Sequence, residues 1–64
     1  MEDFKKRLIV EREELDDKLA KLEAFIGSPR FENLDERNRE LLVSQCGAMR
    51  QYSDILAERI GILL

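Results

Sequence analysis

The 64-residue chain has no histidine and no tryptophan, one cysteine, one proline, one tyrosine and three glycines. Each shortage removes a class of explanation. A single cysteine cannot close an intrachain disulfide, and with no histidine beside it there is no zinc-ligand set of the Cys/His kind. The commonest general base is missing, and no Gly-rich phosphate loop or activated-nucleophile arrangement takes its place. Gly27-Ser28-Pro29 reads as a turn and not as a nucleophile elbow, and carboxylates spread along a helix surface read as a solvated face. The chain is therefore expected not to be an enzyme and to carry no cofactor and no metal. Its start, Met1-Glu2-Asp3-Phe4-Lys5-Lys6-Arg7, is charged, and Leu8-Ile9-Val10 is too short for the apolar region of a signal peptide. Ile60-Gly61-Ile62-Leu63-Leu64 falls far short of the roughly 20 residues that span a bilayer. The free thiol and the missing signal point to a reducing, cytoplasmic compartment with no membrane partner. A net charge of −3 disfavours general nucleic-acid binding, which calls for a basic excess, but leaves room for a small anionic ligand held by a few local cations.

What is present is helical and amphipathic. The chain is 44% hydrophobic and 39% charged, too apolar for a disordered segment. A chain this short buries only roughly 60% of the surface that its unfolded form exposes, so it needs a staple. With disulfide and metal excluded, oligomerisation is the one that remains.

The spacing predicts a first helix over about 3–26, a loop over 27–35 and a second helix over about 36–61. In the first, Leu8, Leu15 and Leu22 lie seven apart, Leu19 and Ile26 occupy the neighbouring ridge, and Phe4 precedes Leu8 by four. The opposite face reads Glu11, Arg12, Glu14, Asp17, Lys18, Lys21, with Glu14–Lys18 and Asp17–Lys21 at ion-pair spacing. Glu2 and Asp3 suit the positive end of the helix dipole. Gly27 is expected to end the helix in a left-handed cap, with Pro29 blocking continuation. Ser28 is expected to cap a single turn over Pro29–Asn33, and Phe31 and Leu34 to plug the closed end. Asp35 is the first choice of cap for the second helix, with Asn33 as the alternative.

In the second helix Leu42, Met49, Leu56 and Leu63 form one row, bordered by Tyr52 and Ile60. Leu41, Ala48, Ile55 and Ile62 form another, one residue over. Gly47 costs helix stability that a close crossing would offset, and Gly61 is a candidate early end. The short loop dictates antiparallel packing. One hairpin has one seam, yet there are two apolar rows, with Ile9, Val10 and Phe25 besides; the excess predicts a second interface. The expected fold is thus all-α, an antiparallel two-helix hairpin with a short helical turn in its loop, assembling into a homo-oligomer.

Several residues are candidates for binding. The Tyr52 ring either belongs to the core stripe with its hydroxyl at the edge, or offers a stacking platform for a base. Arg50 and Arg59 flank it along the helix, and Lys18 and Lys21 are placed opposite; an aromatic among cations at an oligomer seam suits a nucleotide. Arg30 and Phe31 in the loop, with Arg37 and Arg39 beyond, read either as a salt-bridged loop or as part of a pocket at the tip. Cys46 reads as a buried structural thiol.

Two stretches, Leu-Ala-Lys-Leu-Glu-Ala-Phe-Ile-Gly-Ser-Pro-Arg-Phe-Glu-Asn-Leu-Asp (19–35) and Leu-Leu-Val-Ser-Gln-Cys-Gly-Ala-Met-Arg-Gln-Tyr-Ser-Asp-Ile-Leu-Ala-Glu-Arg-Ile (41–60), resemble a set of very short helical-hairpin proteins of tailed bacteriophages. The shared pattern is Lys/Arg-Leu-x-x-Phe-Ile, a Gly/Ser turn, Phe-x-x-Leu, then Met-x-x-Tyr-x-x-Ile-Leu-x-x-Arg-Ile. In size, hairpin plan and phage setting the chain is also similar to the phage nucleotide sponges of the anti-CBASS and anti-Thoeris type. Those assemble into hexamers and trap cyclic nucleotides or ADP-ribose derivatives without chemistry. The resemblance implies an oligomer, from dimer to hexamer, that sequesters a nucleotide immune signal and so inhibits anti-phage defence. It carries over no binding residue; the candidate ligand residues Tyr52, Arg59, Arg50, Lys18, Arg30 and Phe31 come from the chain's own pattern. A reading of a different class is a protein-binding hairpin whose spare apolar row inhibits or scaffolds a host or phage protein.

Overall fold

A computed structural model of the chain describes residues 2–63, and side chains from Asp3 to Leu63. Glu2's expected dipole contribution and Leu64 lie outside the described side chains. Two long helices, α1 (Glu2–Ile26) and α3 (Glu36–Leu63), are joined through a single turn, α2 (Pro29–Glu32). The helices run antiparallel: Glu23 of α1 meets Arg50 of α3, Asp16 meets Ser53, and Lys5 and Leu8 close on Ile60 and Leu63. The result is a rod of 46 × 14 × 13 Å. No helix among the described residues is long and apolar enough to cross a membrane.

The loop shows why the chain turns where it does. The Gly27 and Ser28 amides donate to the carbonyls of Glu23 (3.1 Å) and Phe25 (3.0 Å), tightening the end of α1. The Ser28 hydroxyl donates to the same Phe25 carbonyl at 2.6 Å. That hydroxyl therefore adds a second bond to a carbonyl in the last turn of α1, and it makes no side-chain cap to α2. No glycine among the described residues adopts positive φ, so α1 ends without the left-handed cap expected at Gly27. Pro29 takes the first position of α2, where its missing N–H costs nothing. Phe25 and Phe31 meet edge-to-face, ring centroids 6.3 Å apart, and with half-buried Leu34 they close the tip.

Asp35 caps α3. Its carboxylate accepts from the Asn38 amide (3.4 Å) and the Asn38 side chain (2.5 Å), and its carbonyl accepts from the Arg39 amide (3.1 Å). The Asn38 side-chain bond is the main reason that the Asp35 pKa lies below its ordinary value.

The seam itself follows a 4,3 rhythm. On α1 it runs Leu8, Arg12, Leu15, Leu19, Leu22, Ile26; on α3 it runs Leu42, Cys46, Met49, Ser53, Leu56, Ile60, all buried or half-buried. Leu56 is fully enclosed. Midway, one layer is polar. The Ser53 hydroxyl donates to Asp16 Oδ1 (2.5 Å) and accepts from Arg12 Nε (3.4 Å), while Arg12 Nε also lies 3.7 Å from Asp16 Oδ2. No buried side-chain nitrogen or oxygen among the described residues lacks a partner.

Several expectations change. Arg12, assigned to the solvated face, reaches across the seam. Phe25, counted as surplus, is half-buried at the tip. Tyr52, taken for a border of the core stripe, is 43% exposed, and it is Ser53 that turns inward. Gly47 supports no close crossing, since a Cβ there would meet nothing within 4 Å. Gly61 does not end α3, which continues to Leu63. Asp17–Lys21 forms an ion pair (3.1 Å), whereas among the described residues Glu14 and Lys18 form none.

Candidate functional site

The seam leaves two flanks and a tip, and these divide the six candidate residues. α3 carries its second row, Leu41, Gln45, Ala48, Tyr52, Ile55, Arg59 and Ile62, one residue behind the seam and in the same 4,3 rhythm. It is rotated about 100° around the helix, because one residue is about 1/3.6 of a turn. Phe4 of α1 borders this flank, lining a groove of about 200 Å³ with Arg59, Ile62 and Leu63. Lys18 lies two heptads beyond Phe4, on nearly the same face of α1. The register that joins Asp16 to Ser53 and Glu23 to Arg50 sets Lys18 level with Tyr52. Tyr52, Arg59 and Lys18 thus share one open flank. Among the described residues neither Arg59 nor Lys18 enters an ion pair.

Arg50 belongs to the opposite flank. Its guanidinium is hydrogen-bonded to the Glu23 carboxylate, and that bond, with the Glu23 charge, raises the Arg50 pKa further above its already high ordinary value. The pair spans α1 and α3 and ties them together, so it occupies the cation that the sequence nominated for a ligand. Beside it a groove of about 490 Å³ is lined by Glu23, Ile26, Val43, Cys46, Gly47 and Arg50. Cys46 is buried, as expected of a structural thiol.

The tip gathers a different set. Phe31 lines a groove of about 660 Å³ with Glu36, Arg37, Arg39, Glu40, Val43 and Ser44. Arg30 is exposed outside that lining. Arg37 is paired with Glu40 at 3.4 Å. Arg39, half-buried and in no ion pair among the described residues, is the more available cation there. Its place was readable: it sits three residues before Leu42 and so prolongs the seam. Phe4 was likewise readable as a neighbour of Arg59 once the antiparallel register was known, and not before.

Chemically, the open flank offers a stackable ring, two available cations and apolar neighbours. Such a surface can hold a flat base and its phosphates by stacking and charge-assisted hydrogen bonds. Among the described residues there is no cluster of three potential metal ligands. A family model, Sequestin, matches residues 2–62, and the chain belongs to the Sequestin family. That name is consistent with sequestration. Comparison with curated proteins and with solved structures returns no match.

Proposed function

We propose that this protein is a phage-encoded sponge: an oligomer that binds a nucleotide immune signal, a cyclic nucleotide or an ADP-ribose derivative, and holds it away from its receptor in the host cytoplasm. The observation that carries this reading is membership, along residues 2–62, of a family named for sequestration. The open flank supports it by supplying the chemistry. The base stacks on Tyr52, and the phosphates pair with Arg59 and Lys18. No bond is made or broken, and silencing comes from affinity alone. The groove beside Arg59, about 200 Å³, is smaller than the roughly 300–1,000 Å³ of ordinary ligand sites. A second protomer supplies the missing wall.

The test is a thermal-shift panel of cyclic di- and trinucleotides, cyclic mononucleotides and cyclic ADP-ribose isomers, followed by heat release and mass analysis of whatever was bound. A ligand at one hundred times its Kd stabilises the native state by about 2.7 kcal/mol. In a domain this small that corresponds to a rise in Tm of roughly 10–20 °C. The released molecule is expected to be chemically intact. No shift with any nucleotide, at protein well above micromolar, sinks the reading. The rival, a hairpin that docks on a host or phage protein, draws on the exposed row Leu41, Ile55 and Ile62, and would show as a protein partner retained with no nucleotide response.

A further inference from the structure

We infer that the outer row of α3, Leu41–Gln45–Ala48–Tyr52–Ile55–Arg59–Ile62, is the face on which a second copy of this chain packs, with the two α3 helices antiparallel. The inference rests on the proposed reading in taking another protomer as the occupant, but its observations and its test involve no ligand.

The first observation is area. The hairpin exposes 5094 Å². A compact monomer of 7.5 kDa exposes about 4,250 Å² by the surface scaling of folded proteins. The surplus is roughly 850 Å², close to the ~800 Å² that one partner contributes to a stable protein interface. A rod 14 × 13 Å in cross-section cannot recover that area by rearranging itself, because each helix has only one neighbour.

The second observation is where the surplus lies. Leu41, Tyr52, Ile55 and Ile62 are all more than two-fifths exposed, and Ile62 is 84% exposed. They lie on one line in the same 4,3 rhythm as the buried seam. A helix with two such rows about 100° apart is built for two neighbours, and the hairpin supplies one of them. The apolar surplus on the other flank, Ile9 and Val43, forms no comparable row.

The third is self-complementarity. The row is centred between Gln51 and Tyr52. A two-fold axis there sets Leu41 level with Ile62 of the second copy, and Ala48 level with its Ile55, so the apolar members of the row meet one another across the axis in both chains. A parallel pairing would instead face Arg59 with its own counterpart, a like-charge contact. The antiparallel pairing sets it opposite Ser44 and Gln45, which carry no charge, and opposes the two helix dipoles. Leu41, Ile55 and Ile62 then supply the buried contact, while Tyr52 and Arg59 lie between them with Ala48 leaving room. The ligand flank is thereby completed by the second copy.

Sedimentation equilibrium on the ligand-free protein across ~1–200 µM decides it. The wild type is expected at a multiple of 7.5 kDa. Ile55→Glu is expected to run as a helical single chain, because Ile55 lies outside the hairpin seam. Ile62→Lys, near the helix end and remote from the buried core, is expected to weaken association at least tenfold while keeping full helicity. Val43→Glu, on the opposite flank, is expected to leave the mass unchanged. Single-chain mass for the wild type at every concentration overturns the inference, as does wild-type mass in Ile62→Lys. Should Ile55→Glu fail to fold, the wild type and Ile62→Lys still decide. Assembly without any nucleotide response would defeat the sponge reading alone; nucleotide binding by a single chain would defeat this interface alone.

Discussion

At the scale of single residues, the polar layer Arg12–Asp16–Ser53 was the least legible part of the fold. In the sequence Arg12 belongs to a run of charges, and Ser53 sits between Tyr52 and the apolar pair Ile55–Leu56. Nothing local marks the serine as the inward residue. What decides is the 4,3 rhythm anchored at Cys46, Met49, Leu56 and Ile60, which forces position 53 into the seam. Its hydroxyl is nearly inaccessible, while Arg12 and Asp16 remain partly in water. Ser53→Ala is therefore expected to cost only about 1 kcal/mol, less than the roughly 1.5–3 kcal/mol of a hydrogen bond to a charged group, since both partners can rehydrate. Urea unfolding of the two proteins measures this, and an unchanged midpoint would show that the layer does not hold the seam. Gly47 gives the opposite sign. With open space around its missing Cβ, Gly47→Ala is expected to stabilise by about 0.5–1 kcal/mol through helix propensity and a less flexible unfolded chain. A higher urea midpoint with unchanged helicity is the expected result.

The elements were far more legible than their ends. Two helices and a turn follow from apolar spacing, an interior of α1 free of Gly and Pro, and one Gly-Ser-Pro break. The mechanism of the break differs, because Ser28 can reach back to the Phe25 carbonyl, which removes the need for a left-handed glycine at position 27. At the other side of the loop, Asp35 won over Asn33 because its charged carboxylate serves both the backbone and the side chain of Asn38. That has a pH signature. The Asp35 pKa is lowered in the folded chain, so the cap contributes in full above the unfolded carboxylate value, near pH 4. Its contribution is lost as the pH falls through the lower folded value. The first turn of α3, Glu36–Arg39, is expected to fray on acidification through that window before the rest of the hairpin melts. Amide chemical shifts of Glu36–Arg39 followed from pH 6 to pH 2 report it. Asp35→Ala is expected to show the frayed shifts already at pH 6, with no further local transition on acidification.

At the scale of the whole molecule, an antiparallel hairpin with more apolar surface than one seam can bury was readable from the count of rows. Which row faces inward was not, because Leu42/Leu56 and Leu41/Ile55 are chemically alike one residue apart. Handedness and register, set by the partners on α1, decide between them. That choice also sorts the candidate ligand residues. Arg50 and Arg59 stand nine residues apart, half a turn around one helix, and the seam that runs between them sends them to opposite flanks. Arg50 finds Glu23 there, whereas Arg59 finds Phe4 and no carboxylate partner among the described residues. A guanidinium already committed to a carboxylate gains little from a phosphate, since it must give up one anion for another. An uncommitted one exchanges only water. Arg59→Ala is therefore expected to weaken nucleotide binding by about 10- to 150-fold, the equivalent of the 1.5–3 kcal/mol of a charge-assisted hydrogen bond. Arg50→Ala is expected to leave the affinity within a factor of two to three while slightly lowering Tm, because it loosens the tie to α1. Titration calorimetry on both variants, with the nucleotide that gives the largest thermal shift, measures the pair. Equal losses would mean that the ligand spans both flanks, and a loss at Arg50 alone would move the site to the groove that runs past Gly47.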